Sequence, residues 1–336
     1  MPAEWEPHER TLVTWPCRDD LWGPLRADAE AAYREVIWAV AQFEPCTVIA
    51  RPGAHAEHAA QYCEVREGST PYPIDIVELP TDDSWVRDNG PLYAFDDHRR
   101  VVTDWRFNSW GDKYLPYDAD AALARRWAHG RGEPYVSVDA VLEGGSINVD
   151  GEGTMVTTVQ CLMHPNRNPA LARVDLEALF REHLGVDAVL WLPYGLVDDD
   201  DTDGHVDNVA AFSEPGRVLL QGCDDPDEPD SMRLDMNRRT AERWRDARGV
   251  PIEAIEIPVL PFVEVGGSRR PVPYLNFYVL NSAVLVPVSG HEADDDIVEL
   301  LAEEFPGREV VGLDVGAVLA HGGGGIHCIT QQIPHV

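Results

Sequence analysis

Lysine is almost missing from this 336-residue chain, Lys113 being the only one. Lys and Arg together number 27 against 59 Asp and Glu, for a formal net charge of −32. A field this negative repels nucleic acid and anionic membranes and attracts cations, so neither polyanion is an expected partner. The same acidity also arises from adaptation to salt or from compositional bias, and by itself it names no ligand. Long apolar runs are missing too. No stretch approaches 18 uninterrupted apolar residues, which excludes a membrane-spanning helix. Residues 1–8 are acidic and broken by two prolines, without the basic and apolar regions of a secretory signal, and they predict a cytoplasmic protein. None of the six cysteines stands in a Cys-x-x-Cys pair, so a zinc ribbon and a thioredoxin motif are excluded. In a reducing compartment most of them are expected as free, buried thiols.

Two further absences narrow the chemistry. The acidic run at 198–201 lacks the spacing and the closing Glu of an EF-hand. The glycines at 322–325 do not follow a βαβ pattern with a downstream acid, as a dinucleotide site requires. Neither a metal nor an organic cofactor is therefore expected. With 44% hydrophobic and 26% charged residues the composition is that of an ordinary globular protein, read here as a single domain over 1–336.

What is present is an alternation of β-rich runs and amphipathic helices. Helical periodicity marks roughly 27–43, 118–130, 169–184, 231–248 and 293–305. In the first, Ala29, Tyr33, Val36, Ile37 and Val40 follow i, i+3/i+4 spacing. Strands are predicted near 11–15, 46–50, 101–107, 155–158, 218–221 and 283–287. Four hairpin-like segments are each preceded by one polar residue able to do chemistry: Asp88, Glu143, His205 and Asn276. Their turns, Asp150-Gly151, Pro215-Gly216 and Asn281-Ser282, are hairpin turns by composition. Cys328 opens a fifth strand-like segment that lacks a following partner, and the segment at 11–15 lacks a preceding one. Pairing these two would close an α/β ring of five ββαβ-like modules, a five-bladed pseudo-symmetric propeller with the polar residues turned toward its axis. The alternative left open by the pattern is an ordinary α/β sheet with these residues scattered.

Cys328 follows Gly322-Gly323-Gly324-Gly325-Ile326-His327. A glycine run lets backbone approach a ligand closely, and a nearby cation such as a guanidinium lowers a thiol pKa, which marks this cysteine as the nucleophile. In Gly204-His205-Val206-Asp207-Asn208 the His and Asp stand two apart, which on a strand points both to one face. Histidine suits protonation of a leaving amine and activation of water. Asp88 and Asp207 are the carboxylates expected to grip a planar guanidinium, with Trp85 as a neighbouring aromatic wall and Glu143 as a further acceptor.

Taken together, several ordered segments resemble the agmatine deiminase family, within the Porphyromonas-type peptidylarginine deiminase group of the pentein superfamily. They are Met1-Pro2-Ala3-Glu4-Trp5-Glu6-Pro7-His8-Glu9, Trp85-Val86-Arg87-Asp88-Asn89-Gly90-Pro91, Glu143-Gly144-Gly145, Cys161-Leu162 with Asn166-Arg167-Asn168-Pro169, Asp200 through Asn208, Asn276-Phe277-Tyr278, and Ile326-His327-Cys328-Ile329-Thr330-Gln331-Gln332. The resemblance covers nearly the whole chain. It implies a five-bladed propeller and cofactor-free hydrolysis of agmatine to N-carbamoylputrescine and ammonia, a C–N hydrolase reaction of putrescine and polyamine biosynthesis. It further implies that Cys328 attacks the guanidinium carbon while Asp88 and Asp207 hold its nitrogens. His205 would serve as acid and then base, and Glu143, Trp85, Asp201 and Asn276 would bind substrate, Asp201 meeting the distal ammonium. A homo-oligomer, a dimer, is allowed for. Two positions depart from the family pattern: Gly325 stands where Asn is often found, and Asn148 where an acid or His is common. The competing readings are a deiminase of another guanidine, such as peptidyl arginine, and a non-catalytic polyamine binder. A carboxylate-bearing substrate would want an arginine in the pocket, whereas the tail-side candidates here read as acidic.

Overall fold

The computed structural model describes residues 1–64, 70–97 and 99–336. Among these, five sheets repeat one order: an antiparallel pair followed by a third strand parallel to the second. Strand β1 (His8–Thr14) runs parallel to β2 (Cys46–Ala50), which is parallel to β3 (Ile74–Glu78). The next sheets are β4 (Leu92–Asp96), β5 (Arg99–Arg106) and β6 (Tyr135–Val141), then β7 (Ile147–Val149), β8 (Thr154–Thr158) and β9 (Ala188–Leu192). They are followed by β10 (Ala210–Glu214), β11 (Arg217–Gln221) and β12 (Glu253–Ile257). A two-stranded hairpin of β13 (Phe262–Val265) and β14 (Ser268–Pro271) precedes the fifth sheet, β15 (Tyr278–Val279), β16 (Ala283–Pro287) and β17 (Glu309–Leu313). The last strand, β18 (Thr330–Pro334), returns to pair antiparallel with β1, Thr11 opposite Gln332. The expected pairing of the two terminal strands is thus present.

Helices make the parallel crossovers, as a parallel pair requires. Arg26–Val40 buries Ala29, Tyr33, Val36, Ile37 and Val40, the stripe read from spacing. Asp294–Glu304 buries Ile297 and Leu301 and opens with Asp294, Asp295 and Asp296, which favour the positive end of the helix dipole. Each large apolar side chain buried this way contributes roughly 1.5–3 kcal/mol before entropy is counted. The helix expected to reach 248 is shorter. It begins at Pro229, a residue suited to a first helical turn, and stops at Ala241. Beyond it the chain doubles back, with Arg245 bridged to Pro251 across the positive-φ Gly249.

The prediction that His205 and Asp207 share a strand face is corrected. Val206–Asn208 is a 3-10 turn, and β10 starts only at Ala210. Cys328 likewise lies in a turn just ahead of β18, not within the strand. The underlying regularity survives. Asp88 precedes β4, Glu143 precedes β7, His205 precedes β10, Asn276 precedes β15 and Cys328 precedes β18, each on the segment entering the first strand of a sheet.

Candidate active site

The entry segments bring their polar side chains into one buried cluster. Asp88 lies in the four-residue helical turn Val86–Asn89. Its two oxygens accept from the Gly145 amide and from Trp110 Nε1, each at 2.9 Å, which fixes the plane of the carboxylate. Gly145 must lack a side chain: a Cβ there would lie 2.6 Å from His205 Nδ1, 2.8 Å from Asp88 Oδ1 and 2.9 Å from Asp207 Oδ2. That single glycine touches three of the expected functional groups.

His205 is wholly buried, and neither ring nitrogen has a hydrogen-bond partner. Nδ1 stands 3.8 Å from Asp88 Oδ1, and the backbone amide donates to Asp199 Oδ2 at 3.1 Å. Burial alone would lower its pKa, but the charge of Asp88, the neighbouring Cys161 and the charge of Asp207 carry it well above the ordinary imidazole value. Asp207 has one oxygen engaged and one unpartnered. Oδ2 accepts from His327 Nδ1 at 2.9 Å, and His327 Nε2 meets Glu4 Oε2 at 2.9 Å, while Oδ1 is buried without a partner. Burial raises the Asp207 carboxyl, yet His327 and His205 hold it below its ordinary value.

Cys328 Sγ donates toward Asp207 Oδ2 at 3.5 Å and receives Asn276 Nδ2 at 3.3 Å. Asn276 Nδ2 also donates to Asn208 Oδ1 at 2.9 Å. Burial, and then the charges of Asp207 and Asp88, push this thiol well above its ordinary value. A cation bound between those carboxylates would reverse the electrostatic part of that shift.

Glu143 is buried against Arg167, whose Nε donates to Oε1 at 2.5 Å, while Oε2 has no partner. Glu143, Cys161 and His205 offer the single metal-type trio among the described residues, with ligand atoms within 4.8 Å of one another. The Arg167 guanidinium already supplies the positive charge that Glu143 faces there. The run at 198–201 gathers no such trio. Asp199 instead accepts from Thr202 and His205, and Lys113, the lone lysine, ties down the carbonyls of Asp200 and Asp201 at 2.6 and 3.0 Å and the Asp203 carboxylate at 2.8 Å.

A narrow cavity opens above the sulfur. Cys328 and Asp88 form its floor, Trp85 and Trp110 its walls, and Tyr114, Asp201, Asp83 and Arg18 its mouth. Asp201 lies at the mouth, but it is not a free acid. Its Oδ1 accepts from Tyr114 Oη, and its Oδ2 lies 3.9 Å from Arg270 Nη1. The expectation of a purely acidic tail end is corrected, because Arg18 lines it too. Arg18 is bound by Asp83 at 2.9 Å and Asp20 at 2.7 Å. Asn276 sits beside the sulfur instead of lining this cavity. The departures from the family pattern have local reasons. A Cβ at Gly325 would come within 2.5 Å of Asn276 Oδ1, and Asn148 Oδ1 accepts the Phe212 amide at 2.9 Å, joining β7 to β10.

Sequence reasoning missed Trp110, Tyr114, Arg18 and the brace made by His327 and Glu4. His327 and Glu4 stand inside the quoted motifs, so a second histidine next to Cys328 was a usable signal. Trp110 and Tyr114 carry none, since Trp110 lies within, and Tyr114 just after, a tight turn in which Ser109, Trp110 and Asp112 all have positive φ.

A thiol, a histidine and two carboxylates clustered at and beneath the base of an aromatic-walled cavity are the groups that a cysteine-dependent hydrolytic centre requires. The chain belongs to the Porphyromonas-type peptidyl-arginine deiminase family, whose model matches residues 1–334. It is similar to the agmatine deiminase of Stutzerimonas stutzeri (strain A1501), with 40% identity covering 99% of this chain and 95% of that protein. Among solved structures, the agmatine deiminase of Enterococcus faecalis superposes with a TM-score of 0.91 at 31% identity, covering 99% of this chain and 95% of the other. A DDAH from Pseudomonas aeruginosa, at 16% identity, 97% and 100% coverage and a TM-score of 0.50, shares the α/β fold alone. No helix among the described residues is long and apolar enough to cross a membrane.

Proposed function

We infer that the chain hydrolyses agmatine to N-carbamoylputrescine and ammonia, with Cys328 as the nucleophile. The observation that carries this reading is the Cys328 sulfur 3.5 Å from Asp207, at the floor of a cavity it shares with Asp88. The relatives named agmatine deiminase support the substrate. The reading extends to one catalytic unit over 1–336, its five like-ordered sheets standing as blades of a pseudo-symmetric propeller. It also includes a cytoplasmic location, in keeping with six free cysteines.

In this mechanism the guanidinium lies between Asp88 and Asp207, using the unpartnered Asp207 Oδ1. Its charge offsets theirs, and the thiol proton passes to His205. The sulfur then bonds to the guanidinium carbon. His205 returns the proton to an unsubstituted nitrogen, and the C–N bond breaks to release ammonia and leave a cationic S-alkylthiouronium. His205 next takes a proton from water, whose oxygen bonds to the same carbon. The C–S bond breaks, the thiol is restored, and the net proton leaves with ammonia as ammonium. Trp85 and Trp110 wall the cation, Glu143 offers its free oxygen, Asn276 supports the sulfur, and Asp201 receives the distal ammonium.

Ammonia release and ureido-product formation, measured with agmatine, free arginine and an arginyl peptide, test the assignment. Agmatine is expected to be preferred, and Cys328→Ala is expected to abolish turnover. Preference for a carboxylate-bearing guanidine would instead assign Arg18 and Arg270 to substrate and sink the agmatine reading.

A further inference from the structure

The reaction just proposed has a traffic problem. The bond that breaks first is to an unsubstituted nitrogen, so the alkyl chain stays joined to the carbon on sulfur through both half-reactions. From the floor at Cys328 to the mouth at Asp201, the front cavity remains filled while water must arrive.

A second, small cavity lies on the other side of the glycine run. Leu196, Asp199, Asn208, Arg270 and Ala320 line it, together with Gly324. Gly323 and Asp201 border both cavities, so the partition between them is thin. At Gly324 it is a single residue without a side chain: a Cβ there would stand 3.1 Å from Cys328 Sγ. A polar chain crosses beside it. Asp199 Oδ2 accepts from Asn208 Nδ2 at 3.4 Å, Asn208 Oδ1 from Asn276 Nδ2 at 2.9 Å, and Asn276 Nδ2 also reaches the sulfur at 3.3 Å. The same Asp199 oxygen holds the backbone amide of His205, the group that must deprotonate the water.

We propose that this rear cavity is the route by which the hydrolytic water enters, across the Gly323-Gly324 partition, while the substrate chain occupies the front. Asp199 and Asn208 give its mixed lining polar groups that suit water, and the donors and acceptors of Asn208 and Asn276 form stepping points toward the sulfur. The inference rests on the deiminase reading, and it assigns a use to glycines beyond close approach to a ligand.

Filling the rear cavity should slow only the second half-reaction. Ala320→Phe and Leu196→Trp enter it from different walls, and Arg270→Ala widens it from the surface hairpin. With agmatine, each folded filler variant is expected to lower kcat about 10-fold and KM in parallel, leaving kcat/KM nearly unchanged, as slowing only the later step demands. Mass spectrometry of rapidly quenched enzyme should show the Cys328 adduct accumulating in the fillers and depleted in Arg270→Ala. Fillers whose kcat/KM falls with kcat, or whose adduct occupancy equals that of wild type, would overturn the proposal. Should both fillers fail to fold, unchanged adduct occupancy in Arg270→Ala does the same. Wild type with neither turnover nor adduct would instead refute the deiminase reading itself.

Discussion

Asp88, Asn276 and Cys328, at the floor of the site, each enter the first strand of a sheet, whereas Arg18, Tyr114 and Asp201, at its mouth, come from connecting loops of unrelated shape. The floor is buried and held by hydrogen bonds, such as those from Gly145 and Trp110 to Asp88 and from His327 to Asp207. The mouth is half-open and held by ion pairs that neutralise one another, Arg18 with Asp83 and Arg270 near Asp201. On the proposed reading, repeated architecture supplies the chemistry and irregular loops the selection of substrate. Substitutions in the floor should therefore act on kcat or on stability, and those in the mouth on KM.

The largest effect is expected at the floor. His205→Ala removes the group that handles every proton, and kcat for agmatine should fall roughly 10²–10⁴-fold with KM changed little. Steady-state kinetics check this, and a loss confined to KM would break the contrast. A smaller effect is expected one layer below, at the brace. Burial raises the Glu4 carboxyl, but His327 and Arg87 outweigh it and push it down to about 2 from an ordinary 4.5. The folded value lies below the unfolded one, so the stabilisation is complete above pH 4.5 and fades as pH falls toward 2. It is worth about 3 kcal/mol. Thermal melts of Glu4→Gln against wild type should show a wide gap at pH 7 that narrows below pH 4. A gap independent of pH would remove the charge from the explanation. The smallest effect belongs to the mouth. Asp201→Asn should raise KM for agmatine about 10-fold at low salt with kcat nearly kept, and the effect should shrink as ionic strength rises.

The same contrast governs what was legible in the sequence. Polar residues just ahead of period-2 runs marked Asp88, Glu143, His205, Asn276 and Cys328, because hairpin turns and strand alternation are local signals. Local signals failed where the backbone left the pattern. The turn at Val206–Asn208 defeated the strand-face argument, although His205 and Asp207 do lie in one cluster around Gly145. The helix Ala54–Cys63, the strand β3 and the hairpin of β13 and β14 went unread, the hairpin because β14, with Ser268, Arg269 and Arg270, carries no apolar alternation. Trp110, Tyr114 and Arg18 meet only in three dimensions, through contacts between loops far apart in the chain.

The pairing of β1 with β18 sets His8 opposite Pro334, a contact spanning almost the whole sequence. Such a contact bears a large loop-closure cost and forms slowly relative to contacts within each sheet. The Arg87 amide donates to the Cys328 carbonyl at 3.2 Å, so Cys328 reaches Asp88 only when that last strand has docked. During refolding, sheet structure should therefore return ahead of activity. The thiol acquires its partners in the closing event of folding, and a partly folded chain holds a cysteine without the means to use it.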